Sequence, residues 1–135
     1  MHRRVAAAEE ICGHEFKDKE LLQRALTHPS AVEGNRTMGS YERLEFLGDS
    51  VLGAIVATDI YERYPSMDEC ELSQLKIALV SGKMLSNIAD GLGIGPLIVM
   101  GDSEKGTGAR GMHSALENVY ESLVGALYLD GGYEV

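Results

Sequence analysis

A chain of 135 residues with 44% hydrophobic and 24% charged residues has the size and balance of one globular domain, and it needs neither a disulfide nor a metal merely to fold. No apolar run approaches the roughly 20 residues that span a bilayer, Glu9 and Glu10 break any signal-peptide core, and Cys12 and Cys70 have no CxxC partner, so free thiols in a reducing cytoplasm are expected. Lys and Arg number 12 against 21 Asp and Glu, a net charge of −9. Such a chain repels a phosphate backbone unless some of its carboxylates gather around divalent cations that reverse the local field.

Helical periodicity dominates, and the predicted fold class is an all-α bundle. A first helix is expected from about Arg4 to Cys12 and a second from about Asp18 to Thr27, with Leu21, Leu22, Ala25 and Leu26 on one face. Pro29 and the polar run Glu33 to Ser40 read as a loop. Tyr41 to Tyr64 is the longest helical pattern, stopped by Pro65. Gly48 and Gly53 inside it each cost about 1 kcal/mol of helix propensity against Ala, which points to another helix passing closely. Asp68 to Gly91 is a second long pattern, jogged at Ser81-Gly82. Leu97-Ile98-Val99-Met100 is the one β-like run, Gly101 to Gly111 a glycine-rich loop, and His113 to Leu129 the last full helix.

Two constellations carry chemistry. In Tyr41-Glu-Arg-Leu-Glu-Phe-Leu-Gly-Asp-Ser-Val-Leu52, Glu45 and Asp49 stand four apart on one helical face with Glu42 a turn before, an acidic stripe that repels itself and that a hard cation such as Mg²⁺ relieves. In the last helix Asn118 and Glu121 stand three apart and share a face. If Gly48 and Gly125 mark the close approach of these helices, three carboxylates and one amide surround a single cavity suited to metal-assisted phosphoryl transfer to water. The competing reading is an ordinary solvated acidic face.

The run from Glu42 to Leu52 resembles the signature of the ribonuclease III family. Ala25-Leu-Thr-His-Pro-Ser30, Glu69-Cys-Glu-Leu-Ser-Gln-Leu-Lys76 and Tyr120-Glu-Ser-Leu-Val-Gly-Ala-Leu-Tyr-Leu-Asp-Gly-Gly132 resemble three further family motifs in the right order. The resemblance implies an all-α catalytic domain over residues 1–135 that forms a symmetric homodimer and cleaves double-stranded RNA. It implies Mg²⁺ as cofactor, with Mn²⁺ as substitute, and 5′-phosphate and 3′-hydroxyl ends. It also implies a cytoplasmic role in rRNA and mRNA processing, with no membrane and no small-molecule cofactor. Matched residue by residue, Glu45, Asp49, Asn118 and Glu121 fall on the metal-site positions, Asp49 and Glu121 being the central catalytic pair, and Glu42 and Glu69 on positions tied to the dimer interface and the substrate valley.

The chain departs from the family pattern at several places. Asn118 stands where the family has an aspartate, which removes one negative charge from the site and opens an alternative function, a dimeric RNA-binding module with weakened or lost cleavage. Glu117 is adjacent, but neighbouring helical residues point about 100° apart, so its rescue of the site is expected to need a bent or shifted helix. Lys76 stands for an arginine whose fork it does not reproduce, and Cys70 for a glycine. A basic double-stranded-RNA-binding domain follows the catalytic one in common bacterial members and is not found before Val135, where trimming is the expectation. Gly106-Thr-Gly-Ala-Arg-Gly111 matches GxGxxG but follows no convincing strand, so it is read as a loop whose Lys105 and Arg110 could touch phosphate. His28 is read as structural.

Overall fold

Asp18, Asp68 and Ser81 each stand one residue before a helix and accept a backbone N–H from its first turn, from Leu21 at 3.2 Å, Glu71 at 2.8 Å and Met84 at 3.2 Å. At Asp68 the cap is reciprocal, because Glu71 accepts from the Asp68 N–H at 3.2 Å. These caps set the helix starts in a computed structural model that describes the backbone of residues 2–32, 39–101 and 108–135, and the side chains of 3–32, 39–101 and 111–135. The helices are α1 His2–Cys12, α2 Lys19–Ala25, α3 Glu42–Arg63, α4 Glu69–Leu79, α5 Gly82–Gly91 and α6 Gly108–Gly131, with single 3₁₀ turns at Pro29–Ala31 and Gly95–Leu97.

The architecture is all-α, as expected, with local differences. The long pattern Asp68 to Gly91 is two helices, because Ser81 opens a new N-terminus. The β-like run is not a strand: Leu97 ends a 3₁₀ turn, and Val99 makes an isolated parallel bridge with Thr27 through Val99 N–H to Leu26 O and His28 N–H to Val99 O, both 2.8 Å. The last helix starts at Gly108, so the end of the expected glycine-rich loop is helical; Met112, packed on the core, carries helical packing back toward that first turn. Residues 33–38 and 102–107 and the side chain of Arg110 lie outside the described residues, and with them most of the loop after Val32 and the Lys105 and Arg110 readings.

The core forms where α2 and α6 cross. Leu22, Ala25 and Leu26 are fully buried against Val119, Leu123 and Ala126, with Phe16 and Ile94 closing the ends. Ser122, fully buried, donates to Ala25 O at 2.6 Å and fixes the turn of α6 that carries Glu121. At the C-terminal end of α6, Asp130 accepts from the Lys17 and Asp18 N–H groups, both at 3.0 Å, and pairs with His14 at 2.8 Å. The Lys17 N–H above all, then His14, holds its carboxyl down to about 2, so this tether acts above the ordinary aspartate range and is lost as pH falls through about 2. Among the described residues no helix is long and apolar enough to cross a membrane.

Candidate active site

Helices α3 and α6 make the most extensive contact in the molecule, and they do so backbone against backbone. A Cβ on Gly48 would lie 1.6 Å from the Glu121 carbonyl oxygen, and a Cβ on Gly125 would lie 2.5 Å from the Leu44 carbonyl oxygen. No side chain fits at either position. The two propensity-costly glycines therefore create the approach that the sequence hinted at, and the acidic faces of the two helices meet beside it.

Asp49 and Glu121 share a hydrogen bond across this seam. Glu121 is only 8% exposed, while Asp49 sits on the open side. Burial, then the bond with Asp49 and the charges of Asp49, Glu45 and Glu117, push the Glu121 carboxyl up to about 8. Burial first, then Glu117, Glu42 and Asp49, also raises Glu45 above the usual carboxylate range. Negative groups are thus forced together until one of them holds a proton near neutral pH. Oxygen donors of this kind, partly hydrated and mutually repelling, fit a hard divalent cation. Among the described residues, no three acidic, histidine or cysteine side chains stand ready in coordinating geometry.

The remaining expected residues divide. Asn118 donates from Nδ2 to the hydroxyl of buried Tyr41 at 3.3 Å, and Tyr41 is packed edge-on against His28 at 5.7 Å. Glu42 is half-buried and acts on Glu45 by charge. Glu69 is exposed on α4, where its carboxylate accepts from Ser73 at 3.3 Å; it takes no part in the charges that shift Glu45 and Glu121.

Sequence reasoning undervalued Glu117. Its carboxylate lies across the α3–α6 seam from Glu45, and a Cβ on Gly82 would come within 2.6 Å of its Oε2. The continuous helix α6 achieves this with no break. Glu117 and Glu121 are four apart, offset by about 40° around the helix, whereas Asn118 and Glu121 are offset by about 60°. The i,i+4 spacing of Glu117 and Glu121 is visible in the sequence, but its weight emerges only once α6 sets Glu117 beside Glu45.

The family model described as Ribonuclease-III-like matches residues 18–135. The chain belongs to this family. Among curated relatives, Ribonuclease 3 of Symbiobacterium thermophilum is 46% identical over 132 residues, covering 98% of this chain and 55% of that protein. Ribonuclease 3 of Azorhizobium caulinodans is 44% identical over 130 residues, covering 96% and 55%. The chain spans about half the length of these relatives. The ribonuclease III fold is equally plain in solved structures: a nuclease domain from Campylobacter jejuni superposes with a TM-score of 0.89 at 37% identity, covering 96% of this chain and 88% of that one. Dicer from Pichia stipitis matches with a TM-score of 0.61 at 27% identity, covering 85% of this chain and 46% of that one.

Proposed function

We propose that this chain is the catalytic domain of an endonuclease that cleaves double-stranded RNA with Mg²⁺, Mn²⁺ serving as substitute, leaving 5′-phosphate and 3′-hydroxyl ends. The observation that carries this reading is the Asp49–Glu121 pair across the glycine seam, in which burial first, then the bond with Asp49 and the nearby charges, pushes the Glu121 carboxyl up to about 8 in a chain of the ribonuclease-III-like family. Glu45, Asp49 and Glu121 would hold the metal. Asn118 would be a neutral member of the set, steadied by Tyr41, and Glu117 would return the negative charge that an asparagine lacks. A bound divalent cation supplies Lewis-acid activation of water and neutralises charge building on the phosphodiester. The protein's own part would be to keep Glu45, Asp49 and Glu121 near one another, through the glycine seam. A role in rRNA and mRNA processing in the cytoplasm follows from the family reading.

The second reading, a dimeric RNA-binding module with weakened or lost cleavage, is favoured by Asn118 alone. Cleavage of duplex RNA in Mg²⁺, Mn²⁺ and EDTA separates the two. The parent chain is expected to cut in Mg²⁺ and in Mn²⁺ and not in EDTA. Asn118→Asp is expected to raise the rate, and Glu117→Gln to lower it about 10–100-fold, as loss of a group that supports a metal site does. An inert parent together with an inert Asn118→Asp variant would establish the second reading.

The same proposal includes a homodimer, whose two-fold axis would present one site to each RNA strand. One Campylobacter jejuni structure concerns the region of that nuclease domain involved in dimer formation. In this chain Phe46 of α3 is 79% exposed and Leu129 56% exposed, beside a groove of about 610 Å³ also lined by Leu21, Leu44 and Leu47. An exposed aromatic next to a groove lined by leucines together with Arg24, Glu42 and Arg43 suits isologous pairing about a two-fold axis. Phe46→Asp is expected to convert the dimer to monomer in light scattering, with dissociation strengthened about 30-fold or more, while the helical circular dichroism stays unchanged.

A further inference from the structure

Beside the acidic pair, on the far side of Asp49, α3 and α4 enclose a second groove of about 420 Å³ lined by Asp49, Ser50, Gly53 and Lys76 among others. Lys76 comes from the middle of α4 and lies across α3 at Gly53: its Nζ is 3.4 Å, and its Cε 3.5 Å, from where a Cβ on Gly53 would stand. The missing side chain at Gly53 therefore gives the lysine stem its bed. Lys76 is half-buried, and among the described residues it has no ion-pair partner, although Asp49 lines the same groove. Among the described residues it is the one cation of that lining, in a chain of net charge −9.

A lysine whose stem lies along a groove and whose ammonium has no carboxylate partner keeps its charge available. It is placed to receive an anion from outside. Gly53 follows Asp49 by one turn of α3, about 6 Å along the helix axis, a span comparable to the step between neighbouring phosphates on one RNA strand. We propose that Lys76 is a substrate-positioning residue that binds the backbone phosphate next to the one cleaved at Asp49 and Glu121. This rests on the endonuclease reading above and adds to it the strand-holding contact. A lysine gives a phosphate a point charge without fork geometry, so the contact fixes the strand's path and carries no base preference.

The test is steady-state cleavage of a duplex RNA in Mg²⁺ across a series of KCl concentrations, with Mn²⁺ binding measured by calorimetry on the same proteins. Lys76→Gln is expected to raise KM roughly fivefold near 0.15 M salt and to lower the salt slope of log KM by about one per site. Its kcat and Mn²⁺ affinity are expected to stay within about threefold of the parent, and Lys76→Arg to restore both KM and slope. A lysine that merely packs α4 on α3 would change thermal stability and leave the salt slope alone. If the parent cleaves and the Lys76→Gln slope is unchanged, the phosphate contact is wrong and the endonuclease reading survives. If the parent neither cleaves duplex RNA nor binds Mn²⁺, both fall. Should Lys76→Gln fail to fold, Lys76→Met carries the same comparison, and an unchanged slope there overturns the contact equally.

Discussion

Glu121→Gln is expected to abolish cleavage and, in the metal-free protein at pH 8, to raise the Tm. On the proposed reading the substitution removes a metal donor, and losing several kcal/mol of transition-state stabilisation lowers the rate on the order of 10³-fold. The gain in stability comes from the same side chain. The Glu121 carboxyl titrates near 8 in the folded protein and near 4.5 in the unfolded chain. Between those values the folded state holds the extra proton, so stability falls as pH rises from about 4.5 to 8. Glutamine keeps the shape, can donate to Asp49 and has no charge to repel Glu45 and Glu117. Water on the open side screens part of the repulsion, which holds the gain to about 1–2 kcal/mol, or roughly 4–8 °C. Calorimetric scans at pH 5 and pH 8 in EDTA check the sign: parent and variant should converge at pH 5 and separate at pH 8. Saturating Mg²⁺ should reverse the order by stabilising only the parent. A variant less stable than the parent at pH 8 in EDTA would show that the carboxyl cluster is not under strain.

Gly125→Ala is expected to destabilise the protein by about 3 kcal/mol or more. Its methyl group would sit 2.5 Å from the Leu44 carbonyl oxygen, a backbone atom with no rotamer to yield. Helices α3 and α6 must then separate, which opens the core at Leu44, Leu123 and Ala126 and drops the Tm by about 10 °C or more. Gly48→Ala, aimed at the Glu121 carbonyl from 1.6 Å, is expected not to fold. Gly91→Ala is the control. Nothing lies within 4 Å of its Cβ position, and this end of α5 should be neutral or gain up to about 1 kcal/mol of helix propensity. Urea unfolding of the three variants reads the order directly.

Much of this was legible in the sequence because the signals were local. Spacing at three and four residues placed the helices, while the jog at Ser81-Gly82 proved to be a full break at which Ser81 caps a new helix. Glycine at Gly48 and Gly125 was informative because its helix penalty needs a reason, and the reason is tertiary. What escaped was non-local. The isolated bridge between Thr27 and Val99 pairs segments far apart in the chain, so the run around Val99 looked like a strand when only one residue takes part. The start of α6 at Gly108 went unseen because Gly108 and Gly111 carry turn propensity that packing at Met112 overrides. Lys76 showed only as a departure from a motif, since its groove exists only once α4 lies on Gly53.

The direct contact of α3 on α6 has a dynamic consequence. Many enzymes carry their reactive groups on loops that fluctuate independently of the scaffold. Here Glu45 and Asp49 flank one contact glycine and Glu121 stands one turn before the other, and the same crossing buries Leu44, Leu123 and Ala126 in the core. No sub-global opening can part the carboxylates while leaving the interior closed. Amide hydrogens along this stretch of α6 should therefore exchange only through complete unfolding, making the proposed site and the core of the molecule one cooperative unit.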